Sequence, residues 1–472
     1  MSNKRLNIFS ILFYLYSAFK NIFVFVIALI VAKPILGIVI TLILVVIVLV
    51  RYLTYRYSVL DDQILIKYGL FLKKELHIPY DKIQVIQHNQ WFFLKPFNLE
   101  QVILDTASHS DSKSKVDLRV ISIDAGQFIE TKHAKSAGKK IPKEKDSNYS
   151  DNCFYRATTH DMKLFAATNF SFISAISLIT VLIFQLFLND KKSFESINHA
   201  SFYFVISFLV GFMILIYIVG FIKTQLKYYK FTVHSEDTYF RISSGLFKRK
   251  VDKIPIDKIQ NIVFIQNIIR KMLNITTINV DLITENDDEN INNGLLIPFI
   301  KSQLVYEKIG QSFSYVCSKP FLSFTSYKNA FWLFTRNVLW IPLTLLIMLF
   351  FIRDYIFVNV LGLAILILII FSVLTIINAF IKSKNVEISL LPLNKQGIVK
   401  IKDVHLFNYY TNFVQWDKIQ SMSLKQTYFM KKYHNLAHLE INIRVGEHAK
   451  KIECRYLKYD DAKKIIDWYK LS

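Results

Sequence analysis

Glycine is scarce in this sequence, with 12 in 472 residues, and so are proline, with 9, and cysteine, with 3. Loops that cradle phosphate groups are built from glycine, because only a backbone without Cβ approaches an anion closely enough. There is no Walker loop, no G-x-G-x-x-G after a strand, no G-x-S-x-G and no H-E-x-x-H. An enzyme therefore has no motif to stand on, and no cofactor is expected. The cysteines, Cys153, Cys317 and Cys454, are far apart and none forms a C-x-x-C pair. Neither a zinc site nor a disulfide framework is expected, and free thiols suit a reducing cytosol.

Negative charge is the other shortage. There are 36 Asp and Glu against 58 Lys and Arg, a formal net charge of +22. In a soluble domain such an excess points to nucleic acid. Here 53% of residues are hydrophobic, and the basic clusters lie beside long apolar runs. That pattern fits retention of cations next to anionic headgroups, with no nucleic-acid partner. No acidic residue sits in the middle of an apolar run, which leaves a proton or cation relay without support.

The apolar runs come in pairs: Leu12 to Ala32 with Ile35 to Val50, Leu164 to Leu188 with Phe202 to Ile222, and Phe331 to Ile352 with Ile356 to Ile381. A helix crosses a bilayer with roughly twenty apolar residues, and four of the runs meet that length. The first pair is shorter and carries Lys20, so it reads either as a hairpin turning at Lys33-Pro34 or as one kinked span. The other two pairs favour the hairpin. Lys4, Arg5, Arg51, Arg56, Lys223, Lys227, Lys382 and Lys384 fall on one side of a six-span arrangement; Lys33, Lys191, Lys192 and Arg353 fall on the other. The basic side is expected to be cytoplasmic, and with it both termini. The first apolar stretch has no small-residue cleavage site after it and reads as a retained anchor.

Each pair leads into a repeat. The segments Gly69 to Gln84, Gly245 to Gln260 and His405 to Gln420 align without gaps, share Leu-Phe at their second and third positions and end in Asp-Lys-Ile-Gln. A further Gln recurs at Gln90, Gln266 and Gln426, and a Lys at Lys95, Lys271 and Lys431. Before the pairs, Ser10 to Asn21, Thr158 to Asn169 and Ser326 to Asn337 read as amphipathic turns at the interface. The soluble parts alternate apolar and polar residues as strands do, and each closes on a strand and a short helix, with Ser302 and Asp460 as expected N-caps. Gly69 and Gly245 sit between strands, where a turn with φ > 0 is expected.

The fold class so implied is a set of membrane α-helical hairpins, each followed by a β-rich cytoplasmic barrel or sandwich with a C-terminal helix, three times over. The expected domains are 1–55 (interfacial helix and hairpin), 56–133 (β-domain, with a polar insert near 107–115), 134–157 (Lys/Ser-rich linker), 158–227 (hairpin), 228–313 (β-domain), 325–383 (hairpin) and 384–472 (β-domain). The motif G-L-F-(K/R)-(K/R)…I-P-x-D-K-I-Q, in this order of elements, resembles the bacterial pleckstrin-homology (PH) domain of YdbT-like membrane proteins. The third copy departs from it, with His405 in place of Gly and Val414-Gln415 in place of Ile-Pro, so a distorted turn is expected there. The resemblance implies a bacterial cell-membrane protein and a smaller single-PH-domain membrane protein as one kind of partner.

Two sets of residues stand out. Lys248, Arg249 and Lys250 follow Gly-Leu-Phe directly, and Lys73 and Lys74 follow it after one further residue, Leu72. They read either as contacts to anionic phospholipid beside an inserting apolar tip or as solvated hairpin tips. Asp81 and Gln84, Asp257 and Gln260, and Asp417 and Gln420 read mainly as structural, with Ile in the core and polar neighbours serving the backbone at a strand entry. His434 and His438 are four apart, but the strand context argues against a metal, and none is expected. The expected function is a non-enzymatic membrane scaffold whose PH-like domains bind one another, a partner protein or anionic lipid as a homo- or hetero-oligomer. A transporter or flippase-like component for a lipid or amphiphile is the alternative, and a lipid enzyme is a distant third.

Overall fold

A computed structural model describes residues 4–20, 22, 26, 32–69, 72–106, 115–136, 153–169, 199–283, 293–352, 358–393, 397–446 and 448–471. Elements are numbered over these residues. The chain opens with β1 (Lys4–Arg5), α1 (Ser10–Phe19) and α2 (Pro34–Thr54). Strands β2 (Arg56–Val59), β3 (Gln63–Tyr68) and β4 (Lys74–Pro79) follow; then come β5 (Ile83–Trp91), β6 (Leu99–Thr106), β7 (Lys115–Ser122) and α3 (Ile123–Ser136). After β8 (Cys153–Arg156), α4 (Thr159–Thr168) and α5 (His199–Lys227), the same succession returns in β9 (Thr232–Ser235), β10 (Tyr239–Ser244), β11 (Lys248–Pro255), β12 (Ile259–Asn267), α6 (Ile268–Met272), β13 (Ile275–Leu282), β14 (Asn293–Lys301) and α7 (Val305–Gly310). The last stretch holds β15 (Leu322–Thr325), α8 (Ala330–Ile352), α9 (Val358–Asn385), β16 (Glu387–Leu391), β17 (Ile398–His405) and β18 (Asn408–Gln415). It closes with β19 (Ile419–Lys425), α10 (Tyr428–His434), β20 (Leu436–Val445), β21 (His448–Lys458) and α11 (Tyr459–Leu471).

Among the described residues, three helices are long and apolar enough to cross a membrane: Pro34–Thr54, Ala330–Phe351 and Leu368–Asn385. Their apolar side chains stand largely exposed, as lipid-facing residues must. The insert at 107–114, most of the linker, the first run of the second pair beyond residue 169, the acidic stretch Glu285 to Ile291 and the turn at Arg353-Asp354 lie outside the described residues.

The strands form four antiparallel sheets, ordered β1-β2-β3-β4, β7-β6-β5-β11-β10-β9-β8, β14-β13-β12-β18-β17-β16-β15 and β19-β20-β21. The two seven-stranded sheets each join the second half of one strand series to the first half of the next, through β5·β11 and β12·β18. The chain accordingly divides into two compact units, one from residues 1–159 and 197–257 and the other from 160–196, 258–283 and 287–472. The division falls inside the expected second domain, between β11 and β12. In the first unit Val59, Ile64, Ile66, Val102, Leu104, Leu118 and Ile129 form the core. In the second, Ile388, Val399, Ile401, Leu439, Ile441, Cys454 and Ile465 do so, with Trp468 packed against them.

Each Asp-Lys-Ile-Gln element is one turn of 3-10 helix at Tyr80–Lys82, Ile256–Lys258 and Trp416–Lys418, running straight into a strand. Ile83, Ile259 and Ile419 are buried, while Asp81, Asp257 and Asp417 stand at the surface. Gln260 is buried and Gln420 exposed. The later Gln has a defined task. Gln266 Nε2 donates to the Ile275 carbonyl at 3.0 Å, and Gln426 Nε2 donates to the Leu436 carbonyl at 3.0 Å. Each staples the end of one strand to the start of the next.

Gly69 and Gly245 do adopt positive φ, +109° and +108°. A Cβ on Gly245 would lie 2.0 Å from the Lys248 carbonyl oxygen, so the tight turn excludes any other residue. The third copy solves the turn differently. His405 pairs with Asn408, and the two-residue loop between them puts Leu406 and Phe407 at φ 47° and 65°, the geometry of a type I′ hairpin carried without glycine. The Phe407 N–H donates to Asn378 Oδ1 at 3.0 Å, which helps to hold it. Two expected caps are corrected. The helix expected after Ser302 begins at Val305 with Leu304 at its N-cap, because Ser302 Oγ is bonded to Gln266 and Thr276 instead. Asp460 lies within the first turn of α11 rather than before it, where its negative charge complements the positive N-terminal end of the helix dipole.

Candidate functional site: a basic cleft beneath a helix end

The turn Gly245 to Phe247 is tied to the end of α5. Gly245 N–H donates to the Tyr229 carbonyl at 2.9 Å and Leu246 N–H to the Leu226 carbonyl at 3.0 Å. Helix α5 is apolar from Phe202 to Ile222 and ends on Lys227. The loop after β5 reaches the same place. Phe92 N–H donates to the Phe247 carbonyl at 2.7 Å, and the two rings meet edge to face at 5.7 Å. Leu246, Phe247, Phe92 and Phe97 are all exposed. On the other flank of this loop Phe9 and Phe13 of the entering segment pack on Phe97, Trp91 and Phe93. Exposed apolar rings thus gather between the start of one apolar segment and the end of another.

Beneath them lies a cleft of about 760 Å³. Lys95, Arg156, Lys230 and Arg249 line it, together with Gln90, Trp91, Tyr229 and Ser244, and among the described residues no carboxylate does. Four cations gathered in one cleft repel one another unless an anion joins them, so the cleft is chemically suited to a phosphate-bearing group. Lys230 is itself in a left-handed conformation, φ 47°, at the step from helix to strand.

The structure sorts the five basic candidates. Arg249 is exposed and lines the cleft. Lys250 is engaged by Asp252 at 2.7 Å. Lys248 lies over the Trp91 ring at 5.3 Å, and burial together with Lys250 holds its ammonium below the usual lysine range. Lys73 and Lys74 are exposed beside β3, away from any second strand. Sequence reasoning marks Lys95 as a recurring residue without giving it a task. Lys230, Arg156 and Trp91 carry no signal in the sequence, because they converge only when β5 meets β11.

A second cavity, of about 370 Å³, opens along the same seam. His88 Nδ1 is 3.0 Å from Glu100 Oε1, its Nε2 is 3.5 Å from Glu130, and Lys253 forms an ion pair with Glu130. Burial pulls Lys253 down to about 8. Glu130 of α3 thus meets both His88 of β5 and Lys253 of β11, which ties α3 to the two strands and is a structural closure.

His434 and His438 are not one site. The His434 ring packs against Tyr327 at 5.2 Å. His438, on β20, accepts the Tyr456 N–H at Nδ1, 3.1 Å away, and burial lowers its pKa to about 4, with Arg455 adding to the shift. The folded pKa lies below the unfolded value of about 6.5. The unfolded chain therefore binds more protons between these values, and stability present above about pH 6.5 is lost as the pH falls toward 4. With its partial exposure discounted, the loss is about 1–2 kcal/mol. We expect the thermal midpoint to fall over that window and His438→Asn, whose Oδ1 still accepts the bond, to flatten the profile. An unchanged slope in that variant would assign the pH dependence to another group.

These features define a protein of PH-type domains attached to apolar helices. The chain matches the bacterial PH domain family over residues 11–136 and 179–303, more than half its length, and it belongs to that family. The first matched stretch runs from α1 to the last residue of α3. Among curated proteins, the UPF0699 transmembrane protein YdbT of Bacillus subtilis (strain 168) is 26% identical over 271 residues, covering 53% of this chain and 54% of that relative. The chain thus matches about half the length of the curated relative. The fold holds β-rich PH-type sheets with apolar helices, and the protein is membrane-associated.

Proposed function

We propose that the protein is a non-enzymatic, multi-pass membrane scaffold built from three hairpin-plus-domain modules. Its termini and PH-type domains lie on the cytoplasmic face, where they organise protein assembly and hold anionic phospholipid. The observation that carries the lipid contact is the cleft lined by Lys95, Arg156, Lys230 and Arg249 together with the exposed Phe92 and Leu246, at the end of an apolar helix. Apolar tips entering the interface would bring Lys95, Lys230 and Arg249 to headgroup depth.

A basic residue near an anionic surface contributes about 1 kcal/mol. Three replaced together should cost about 3 kcal/mol, or roughly 100-fold in affinity. The full chain, purified in mild detergent from membranes of mixed phosphatidylethanolamine and phosphatidylglycerol, should retain the anionic lipid in excess of its membrane share. Lys95→Ala/Lys230→Ala/Arg249→Ala should lose that excess. Equal retention by the two proteins, read by lipid mass spectrometry, would remove the headgroup assignment.

A further inference from the structure

The two seams that join successive strand series are built alike. In the first, Lys248, Arg249, Lys250 and Val251 face Trp91, Gln90, Asn89 and His88. In the second, Asn408 faces Asn267 and the pairing continues to Val414 facing Asn261. Superposing the three sequence copies on Asp81, Asp257 and Asp417 brings Lys248 onto Asn408 and Trp91 onto Asn267. Both seams therefore use one register. Each seam also has a second contact beside the strands, made by the segment after the first strand: with the turn before β11 in one seam and with the start of β18 in the other. Phe92 meets Phe247 in one, and Lys271 Nζ lies 3.5 Å from the Tyr409 ring centroid in the other.

A series joined in this way leaves one half-seam of each kind over. Among the described residues β4 pairs only with β3, and β19 only with β20. All of β4 but Ile78 is exposed. The companion contacts are open at the same two places. On α10, after β19, Tyr428, Phe429 and Tyr433 are 69%, 65% and 64% exposed, and before β4 Leu72 is 79% exposed. An open strand edge is a template for another strand, and natural edges are normally covered or blunted. Pro79 does not blunt this one, because Pro255 occupies the equivalent end of β11 and the seam still forms.

We infer that β19 and α10 of one molecule receive β4 and its preceding turn from a second copy of this chain, in the register of the internal seams. Thr427 then faces Leu72, Leu424 faces Glu75, and Met422 faces His77. A single chain carries both halves of the contact, so it needs no other component to continue the series, and the head-to-tail geometry closes as a ring or grows as a filament. One pair is mismatched. Lys74 faces Lys425, which Glu440 holds at 2.8 Å. This inference rests on the scaffold reading and names its partner.

The test uses the full chain in its native membrane with Cys153 and Cys317 replaced by Ser; Cys454 is buried and stays. Leu76→Cys with Ser423→Cys places thiols opposite one another in the inferred register. Mild oxidation should give a ladder at multiples of the 55.3 kDa chain, whereas Leu76→Cys with Ser421→Cys, two residues out of register, should not. Lys74→Glu should raise self-association roughly fivefold by turning a like-charge cross-strand pair into an opposite one. Mass photometry in nanodiscs reads that change and needs no cysteine. A monomer with no ladder, or a ladder indifferent to register, overturns the proposal. An adduct with a different protein overturns the second copy as occupant and leaves the scaffold reading standing. Retention of anionic lipid is read separately and does not depend on either result.

Discussion

Asp281→Ala is expected to destabilise the second unit by about 1–3 kcal/mol, the cost of leaving buried hydrogen-bond partners unsatisfied; its ion-pair partner Lys450 is 37% exposed. Asp281 is 1% exposed. Its Oδ2 accepts from Lys450 Nζ at 2.7 Å and from Asn261 Nδ2 at 2.8 Å. Asn261 in turn donates to Asn412 Oδ1 at 2.9 Å and accepts the Phe413 N–H at 3.1 Å. The carboxylate is thus the fixed point of a network that spans the β12·β18 seam, and its loss leaves an ammonium and an amide without an acceptor. Asp281→Asn keeps an acceptor but not the charge and should cost less than half as much. Thermal unfolding of the full chain in detergent, with limited proteolysis to locate the opening, reads both. Equal small losses for the two variants would show that the seam does not depend on this network.

Arg270→Ala is expected to cost about 2–4 kcal/mol, in the range for deleting a large buried side chain. Arg270 lies on the short helix α6, yet only 5% of it is exposed. Its guanidinium donates to Thr168 Oγ1 at 3.0 Å and to Thr277 Oγ1 at 2.8 Å, and lies 4.8 Å from the centroid of the Phe165 ring. Burial alone pulls its pKa down to about 10, so it stays charged at neutral pH. Together with Asn267 Nδ2, which donates to the Thr168 carbonyl at 2.6 Å, it fastens the end of α4 to the β12–β13 corner. Arg270→Met fills most of the space without the hydrogen bonds. If packing is the main contribution, Met recovers most of the stability. If the fork is, hydrogen exchange in residues 159–168 should rise equally in both variants. Unchanged exchange in either would detach α4 from Arg270 altogether.

The legible parts of this protein are those written in local pattern. Apolar runs of helix-spanning length mark Pro34–Thr54, Ala330–Phe351 and Leu368–Asn385, because crossing a bilayer is set by length and composition. Gly69 and Gly245 mark their turns, because only glycine takes such backbone angles without strain. The recurring Asp-Lys-Ile-Gln marks the step into a strand, with Ile83, Ile259 and Ile419 buried in each copy.

The third turn shows where local pattern stops being enough. The loss of glycine at His405 announces a change, and tertiary structure decides its form: a two-residue loop with left-handed Leu406 and Phe407, braced by Asn378 from α9. Ser302 has the place of a helix cap, just before a helical pattern, but its hydroxyl is taken by Gln266 from a distant strand. The basic triplet Lys248-Arg249-Lys250 reads as one patch. The fold gives its members an aromatic face, an open cleft and a carboxylate, because neighbours along a strand point to opposite faces. By itself the sequence determined the apolar helices named above, the glycine turns and the strand series, since each follows from residues near one another in the chain. The seams β5·β11 and β12·β18, the cleft beside the first of them and the open edges of β4 and β19 among the described residues were decided only by tertiary structure. An edge has no side-chain code of its own; its partner is set by which backbone groups the rest of the fold brings alongside.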